Sequence, residues 1–200
     1  TSNMYLAMRY NTTPIGTMPH EWFMYHGALF GYRAANIKAL EAWVEVYQGS
    51  LGIALTDTYT SDSFFKSFSL KQAKLFDGVR WDSGDPLVFT DKTIDFYEKN
   101  RIEPISKTIV FSDSLDIEKV KEIKEHVAER IHDTYGIGTF FTNDVGVKAL
   151  NIVIKLTAIK ADKKDSDYLY AVKLSDIPGK HTGNTDEIKL SQMTLGLNEE

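Results

Sequence analysis

A three-part pattern that recurs along the chain constrains its fold most strongly: a short apolar run, a polar or glycine-rich corner, and then a helical stretch. Short runs with β-branched content and Gly or Asp at their ends are typical of buried strands. Their spacing suits successive βα units with parallel neighbouring strands. The sequence therefore predicts an α/β fold with strands at Thr13–Thr17, Leu51–Leu55, Gly78–Trp81, Thr108–Phe111 and Tyr135–Gly138.

Amphipathic segments between these runs predict the connecting helices. The clearest are Asn36–Tyr47 and Asp116–Ile131, and in the second the apolar residues recur at steps of three and four along one face. Asp116 is of a residue type favoured at the N-cap of a helix.

The chain beyond these units contains two apolar segments and a polar end. Asn151–Ala158 and Tyr168–Leu174 predict a hairpin around the polar loop Asp162–Asp167. The polar, glycine-bearing chain from Asp176 onward predicts a surface tail. We therefore divide the chain into a βα portion, residues 1–160, and a C-terminal portion with a hairpin strand and tail, residues 161–200.

Five βα units are too few to close an eight-stranded barrel. The pattern permits an open sheet or a barrel that is truncated at its N-terminal side. The sequence opens at Thr1 without a methionine and leads directly into helix-like sequence, so we expect the opening strands upstream of Thr1.

Composition excludes several classes of protein. The 42% hydrophobic content suffices for one sizeable core. The net charge is -5 and the basic residues are scattered, which argues against nucleic-acid binding. No apolar run approaches the roughly 18 residues of a membrane span. The chain has no cysteine, which excludes disulfides, thiolate metal sites and a cysteine nucleophile and fits a cytoplasmic protein.

Polar residue types collect directly after each predicted strand. In βα barrels the active site is assembled from the loops at the C-terminal ends of the strands, so these corners predict one such site. The alternative is that Asp, Ser and Gly serve as ordinary turn and cap residues. The corners are Thr17–Glu21, Thr56–Thr58, Asp82–Pro86, Ser112–Ser114 and Gly136–Thr139.

His20 follows Pro19 at a predicted helix start. A neutral imidazole is a nucleophile near pH 7, and a phosphate on it would face the free amides of the first helical turn. The other interpretation is a structural histidine at a helix terminus. Asp57 could accept a bond from the imidazole and fix its tautomer, or it could cap a helix at Thr60–Phe68.

Arg80 lies inside a run that should be buried, and a buried guanidinium needs an anionic partner. That partner is either Asp82 or Asp77 within the chain, or a carboxylate or phosphate of a ligand. Gly136, Gly138 and Thr139 offer backbone that a phosphate group can approach closely. His26, His181 and Lys155 receive no functional role.

Several stretches together resemble the successive signatures of bacterial nicotinate phosphoribosyltransferases, in the order of that family. Thr1–Asn3 resembles the end of its Gly-Thr-Ser-Asn segment, and Lys173–Lys180 its C-terminal signature. The other matching stretches are Pro14–Trp22, Gly52–Asp57, Gly78–Pro86, Lys107–Asp113, Tyr135–Thr139 and Leu150–Leu156.

The resemblance implies a type II phosphoribosyltransferase with an irregular βα barrel, truncated at its N-terminal side in this chain. It implies that nicotinate and phosphoribosyl pyrophosphate form nicotinate mononucleotide on the way to NAD, coupled to hydrolysis of ATP with Mg²⁺. It also implies a homodimer with active sites near the subunit interface. Since an arginine-rich segment of the family's N-terminal half is absent, we expect the isolated chain to be inactive.

The resemblance also implies roles for individual residues. His20 matches the histidine that is phosphorylated, and Asp57 its carboxylate neighbour. Thr17 and Arg80 match positions that contact nicotinate. No metal ligand is assigned. Asp82, Ser83 and Gly84 lie in the motif near the ribosyl group, Gly136, Gly138 and Thr139 match the 5′-phosphate site, and Asp113 lies in a neighbouring phosphate loop.

Three alternatives stay open. A related enzyme could act on nicotinamide or quinolinate. The chain could be a non-catalytic half that completes the site of a partner chain. A metal-dependent barrel hydrolase could use the aspartates, although convergent histidine ligands are missing from the pattern.

Overall fold

The computed structural model describes residues 1–143, 145–150, 152–161 and 167–197. Its centre is a parallel four-stranded sheet in the order β1-β2-β3-β4, which confirms the predicted α/β class. A separate antiparallel pair, β5 and β6, follows in the chain. The strands are β1 Ile53–Leu55, β2 Gly78–Trp81, β3 Thr108–Ser112, β4 His132–Gly136, β5 Ala158–Lys160 and β6 Tyr168–Tyr170.

Helices connect and cover the strands. A short 3-10 turn at Pro104–Ser106 precedes β3. The helices are α1 Met4–Tyr10, α2 His20–Phe30, α3 Tyr32–Tyr47, α4 Ser61–Ser67, α5 Leu70–Leu75, α6 Pro86–Lys99, α7 Ile117–Val127, α8 Thr139–Thr142 and α9 Thr185–Leu195. None of the helices in the described ranges is long and apolar enough to cross a membrane.

The register of the sheet brings the strand ends to one edge. Leu55 pairs with Arg80, Arg80 with Val110, and Val110 with Thr134. Because all four strands run in the same direction, the corners after them lie side by side. The sheet therefore positions the polar residues that follow each strand, as the sequence pattern predicts.

Gly78 allows β2 to approach β3 closely at the opposite edge. A Cβ atom at this position would lie 1.8 Å from the backbone oxygen of Thr108. Around the middle of the sheet, Val79, Ile109 and Phe111 are wholly buried and belong to one core with residues of the covering helices. The apolar runs of the sequence thus become the two faces of a buried sheet.

Two of the predicted strands need correction. Thr13–Thr17 is wrong as a strand: Pro14 offers no N–H, Ile15 is 51% exposed, and none of the strands in the described ranges pairs with the segment. The last sheet strand lies at His132–Gly136 rather than Tyr135–Gly138. It lies at the end of the described sheet, and its residues alternate between exposed and half-buried. Its first residues can therefore be polar, and the search for apolar runs missed them.

The predicted helices differ mainly at their ends. The helix predicted at Asn36–Tyr47 begins four residues earlier, at Tyr32. Asp116 caps α7 as predicted, accepting from Lys119 N at 2.8 Å. That helix ends at Val127 rather than Ile131, because Ala128 takes a left-handed conformation and reverses the chain.

The C-terminal portion contains more structure than predicted. The hairpin is confirmed with shorter strands, while Asn151 and residues 162–166 of its loop lie outside the described residues. A surface tail from Asp176 onward is wrong, since α9 begins at the N-cap Asn184 and packs against α3. The sequence of α9 is polar, and the residue it buries is a serine, Ser191. Its hydrophobic pattern therefore did not indicate a packed helix. The division at residue 160 stays a prediction.

Candidate active site

The imidazole of His20 lies where α2 begins, below the ends of β1 and β2. Its Nε2 lies 2.8 Å from Asp82 Oδ2, and its Nδ1 lies 3.0 Å from Thr58 Oγ1. A carboxylate can only accept, so Nε2 carries the proton and Nδ1 accepts from the Thr58 hydroxyl when the ring is neutral. The ring is 5% exposed, and both of its nitrogens are engaged.

Asp82 is the most heavily bonded carboxylate of the site. Its Oδ1 accepts from Arg80 Nη2 at 2.6 Å and from Ser112 Oγ at 2.9 Å, while Oδ2 faces His20. Burial by itself would raise the pKa of Asp82, but the His20 bond and the Arg80 charge lower it to about 2. Asp82 is therefore ionised at neutral pH.

Arg80 reaches from β2 to both neighbouring parts of the site. Its Nε donates to Ser112 Oγ at 2.6 Å, and Nη1 donates to Thr17 Oγ1 at 2.8 Å and to Met18 O at 3.4 Å. Of the two partners considered within the chain, Asp82 is the one it contacts. One N–H of Nη2 has no partner among the described residues and is available to a ligand in the adjoining cavity.

Asp57 lies behind the imidazole and is completely buried. Its Oδ1 is 3.8 Å from His20 Nε2, too far for a hydrogen bond, so the bond predicted for Asp57 is made by Asp82 instead. Its Oδ2 accepts from Ser83 Oγ at 2.6 Å and lies 3.7 Å from Lys173 Nζ. The capping alternative is wrong, since Thr60 caps α4.

The segment 173–176 supports this corner and was not predicted to do so. Leu174 N donates to Thr58 O at 2.8 Å, and Asp176 accepts from Ser61 N at 2.6 Å and from Ser61 Oγ at 2.5 Å. Burial raises the pKa of Asp176, and the charge of Asp57 adds to this. The one sequence signal for these residues was the resemblance of Lys173–Lys180 to a family signature.

A cavity of about 600 Å³ opens at the strand ends. It contains most of the residues predicted to bind substrate, so remote corners of the chain do meet at one place. Ser112, which was not predicted as a site residue, also lines it. The predicted residues on its wall are Arg80, Asp82, Asp113, Gly136, Gly138 and Thr139.

The predicted catalytic residues His20 and Asp57 do not line that cavity, and neither do three of the residues predicted to bind substrate. Thr17 touches it only through Arg80. Ser83 and Gly84 border a different cavity of about 290 Å³, beside α6. The Ser83 hydroxyl is already used, since it donates to Asp57 and accepts from Asp176 N at 3.1 Å.

His20, Asp57 and Asp82 together resemble a metal-binding group. One ligand atom from each lies within 4.8 Å of the other two. Both carboxylates, however, have cationic neighbours: Arg80 contacts Asp82, and Lys173 lies near Asp57. These side chains already balance much of the charge that a resident cation would balance.

The residues without a predicted role have local partners. His26 donates from Nδ1 to Trp22 O at 2.7 Å and packs against the Trp22 ring. His181 contacts Leu174 O through Nδ1 at 2.8 Å. Lys155 lies 3.4 Å from Glu21, the residue after His20.

Comparison with known proteins shows that the chain resembles one family over nearly its whole length. A sequence model of the nicotinate phosphoribosyltransferase (NAPRTase) family matches residues 1–199. A nicotinate phosphoribosyltransferase of Desulforapulum autotrophicum is 56% identical over 94% of this chain and 48% of its own length. One of Chromohalobacter salexigens is 55% identical over 98% of this chain and 50% of its own length.

Solved structures show the same likeness. The crystal structure of nicotinate phosphoribosyltransferase from Porphyromonas gingivalis superposes with a TM-score of 0.95 at 51% identity, over 98% of this chain and 51% of that chain. A putative nicotinate phosphoribosyltransferase from Saccharomyces cerevisiae gives 0.89 at 36% identity, over 99% and 49%. The chain spans about half the length of the curated relatives it matches.

Proposed function

Because the chain belongs to the nicotinate phosphoribosyltransferase family, we propose that it carries the site that forms nicotinate mononucleotide in NAD biosynthesis. The ring nitrogen of nicotinate bonds to the anomeric carbon of phosphoribosyl pyrophosphate, while the bond to pyrophosphate breaks and its electron pair leaves with pyrophosphate. The observation that carries this proposal is the cavity at the strand ends, where Arg80 and Asp82 face the glycine corner after β4.

The two ends of that cavity suit the two parts of the product. Gly136, Gly138 and Thr139 line the cavity and take the 5′-phosphate, and the space beside Gly138, where nothing lies within 4 Å of a Cβ position, admits a close approach to the backbone. Arg80, steadied by Thr17, takes the carboxylate of nicotinate. The carboxylate of Asp82 faces the ribosyl group, whose transition state is cationic, and Asp113 lies beside the phosphates. Catalysis then rests on alignment and on fixed negative charge.

ATP hydrolysis is coupled to this reaction through a phosphohistidine at His20. A ring nitrogen attacks the γ-phosphorus of ATP, and ADP leaves with the electron pair of the broken bond. Support comes from the bond between Nε2 and Asp82, a residue of the cavity wall, and from the second carboxylate, Asp57, at 3.8 Å. Phosphorylation of either nitrogen replaces one of the ring's two present hydrogen bonds.

Mg²⁺ enters with the phosphate groups of ATP and phosphoribosyl pyrophosphate. Magnesium prefers carboxylate and phosphate oxygens and keeps several waters. Asp113 and Asp116 border the same cavity and offer such oxygens, whereas Asp57 and Asp82 have cationic neighbours. Bound there, the ion would neutralise part of the phosphate charge.

The four-stranded sheet is one arc of an irregular βα barrel of the type II phosphoribosyltransferases, truncated at its N-terminal side. The chain spans about half the length of its relatives, and we propose that the other half supplies the remaining strands. We further propose a cytoplasmic homodimer without nucleic-acid or membrane partners. The isolated segment has no activity of its own until the remaining half is supplied. Alternatively, it is a non-catalytic half that completes the active site of a partner chain.

Phosphate transfer tests the proposal directly. The natural full-length chain, incubated with ATP labelled at the γ-phosphate, should acquire acid-labile, alkali-stable label. His20→Ala should abolish that label, and His126→Ala, which changes a surface histidine paired with Asp91, should retain it. Equal labelling of the His20→Ala protein would sink the assignment.

The choice of base is tested separately. Nicotinate, nicotinamide and quinolinate are each supplied with phosphoribosyl pyrophosphate, and the mononucleotides are quantified. The free N–H of Arg80 favours a carboxylate-bearing base. Preferential use of nicotinamide or quinolinate would replace the proposed substrate with its runner-up.

A further inference from the structure

Lys173 lies next to the carboxylate behind His20. Asp57 is buried with a 1% exposed side chain, and a buried charge is costly unless it is paired. Besides His20, Lys173 is the one cationic side chain within ion-pair distance of Asp57 among the described residues. Its own side chain is 11% exposed, so water screens the pair weakly.

The backbone fixes Lys173 at this place. Its N–H donates to Thr182 O and its carbonyl accepts from Thr182 N, both at 2.9 Å. On the following residues, Leu174 N donates to Thr58 O at 2.8 Å and Ser175 N donates to Asp57 O at 3.2 Å. The segment is therefore bonded to the same corner that its lysine faces.

Asp57 has one oxygen without a partner. Oδ2 accepts from Ser83 Oγ, whereas the buried Oδ1 has no hydrogen-bond partner among the described residues and is directed at His20 Nε2. The negative charge of Asp57 therefore acts on the imidazole over a distance of 3.8 Å. Whatever sets that charge also sets how readily His20 takes up a proton.

We propose that Lys173 is a positioning residue for His20: its ammonium group offsets part of the negative charge that Asp57 directs at the imidazole, which favours the neutral ring with a nitrogen able to accept a phosphate. The proposal deepens the proposed function and rests on it for the phosphate. No ligand contact is assigned to Lys173.

The charged groups around the pair define the expected sign. His20 faces Asp57 and Asp82, and Asp82 is paired with Arg80. Asp57 faces Lys173, and the charge of Asp176 also reaches it. Without Lys173 the surroundings of the imidazole become more negative, which favours the imidazolium form and removes the free nitrogen lone pair.

Titration of the His20 ring signals by NMR tests this without any turnover. The full-length chain is labelled at histidine, and the His20 signal is identified by its loss in His20→Ala. In Lys173→Met the pH midpoint of that signal should move up by roughly 0.5 to 1 unit. Lys173→Arg should restore the wild-type midpoint, and Lys180→Met, an exposed lysine of the same segment, should leave it unchanged.

A second pair of variants shows whether the effect passes through Asp57. In the Asp57→Asn background, Lys173→Met should move the His20 midpoint by far less, because the carboxylate charge is already gone. An unchanged midpoint in Lys173→Met, or an equal shift in both backgrounds, overturns the proposal. If the Met variant fails to fold, Lys173→Gln gives the same comparison.

The rate of phosphate transfer from ATP separates the two proposals. At pH values well below the measured His20 midpoint it should fall about threefold to tenfold in Lys173→Met, following the loss of neutral imidazole, and recover at higher pH. A wild-type chain that accepts no phosphate contradicts the proposed function, while the NMR titration still decides the role of Lys173.

Discussion

Arg80 lies in β2 and Asp82 directly follows that strand. The Arg80 guanidinium donates a hydrogen bond to the Asp82 carboxylate. The guanidinium contacts Asp82, Ser112 and Thr17, and Arg80 lines the cavity with one Nη2 N–H that has no partner among the described residues. Such an arginine is held in place before a ligand arrives, so that little side-chain entropy is lost on binding.

Arg80→Gln should reduce the preference for nicotinate over nicotinamide. A charge-assisted bond to a carboxylate contributes roughly 1.5–3 kcal/mol, which corresponds to about 10-fold to 100-fold in kcat/KM. The measurement is kcat/KM for both bases in the full-length chain. Arg101→Gln, at an exposed arginine after α6, serves as the control; an unchanged preference in Arg80→Gln would contradict a role in base selection.

The depressed pKa of Asp82, about 2, gives a pH-dependent contribution to stability. A carboxyl group whose pKa is lower in the folded state stabilises the fold at pH values above its unfolded-state pKa. That stabilisation is lost as the pH falls through the folded-state pKa. From 3.8 to about 2 the contribution is about 2 kcal/mol. Urea unfolding between pH 5 and pH 2 should therefore show a smaller loss in Asp82→Asn than in the wild-type chain.

The sequence predicted the residues of the candidate site better than it predicted the contacts between them. His20, Arg80 and Asp82 were predicted from residue type and position at strand ends. The choice of Asp82 over Asp57 as the partner of His20 depends on a difference of about one ångström, 2.8 against 3.8 Å, between corners far apart in the chain. Residue patterns carry no information at that scale.

At the scale of single elements, prediction succeeded where a strand is buried and failed where it is not. β2 has the predicted bounds because Val79 and Trp81 are buried on either side of the half-buried Arg80. Thr13–Thr17 pairs with no strand among the described residues, and β4, which begins with polar residues, lies at the end of the four-stranded sheet that the structure describes. Composition alone does not reveal what a segment packs against.

Gly78→Ala tests how tightly the parallel strands are packed. The added methyl group would collide with the backbone of β3, which cannot move aside, so the variant should lose at least about 2 kcal/mol of unfolding free energy. Gly16→Ala, where nothing lies within 4 Å, should keep its stability or gain up to about 1 kcal/mol. Equal urea midpoints for the two variants would contradict this register.

At the scale of the whole molecule, the site depends on a segment far from the strands in sequence. Residues 173–176 reach the corner after β1, and α9 then packs on α3. The convergence of the strand ends followed from parallel order and could be predicted. The packing of the C-terminal segment against this corner could not be predicted, because a polar segment with one buried face has the same sequence pattern as an exposed tail.

A double-mutant cycle between α3 and α9 tests whether this return stabilises the fold. Tyr32 donates to Glu187 at 2.6 Å, linking the two helices across the chain. A bond to a charged group at a half-buried site should give a coupling of about 1 kcal/mol between Tyr32→Phe and Glu187→Gln in unfolding free energy. The same cycle with Tyr25→Phe, an exposed tyrosine of α2, should give a coupling near zero. If both cycles give no coupling, α9 rests on α3 without this bond contributing, and the C-terminal segment is held to the molecule through residues 173–176.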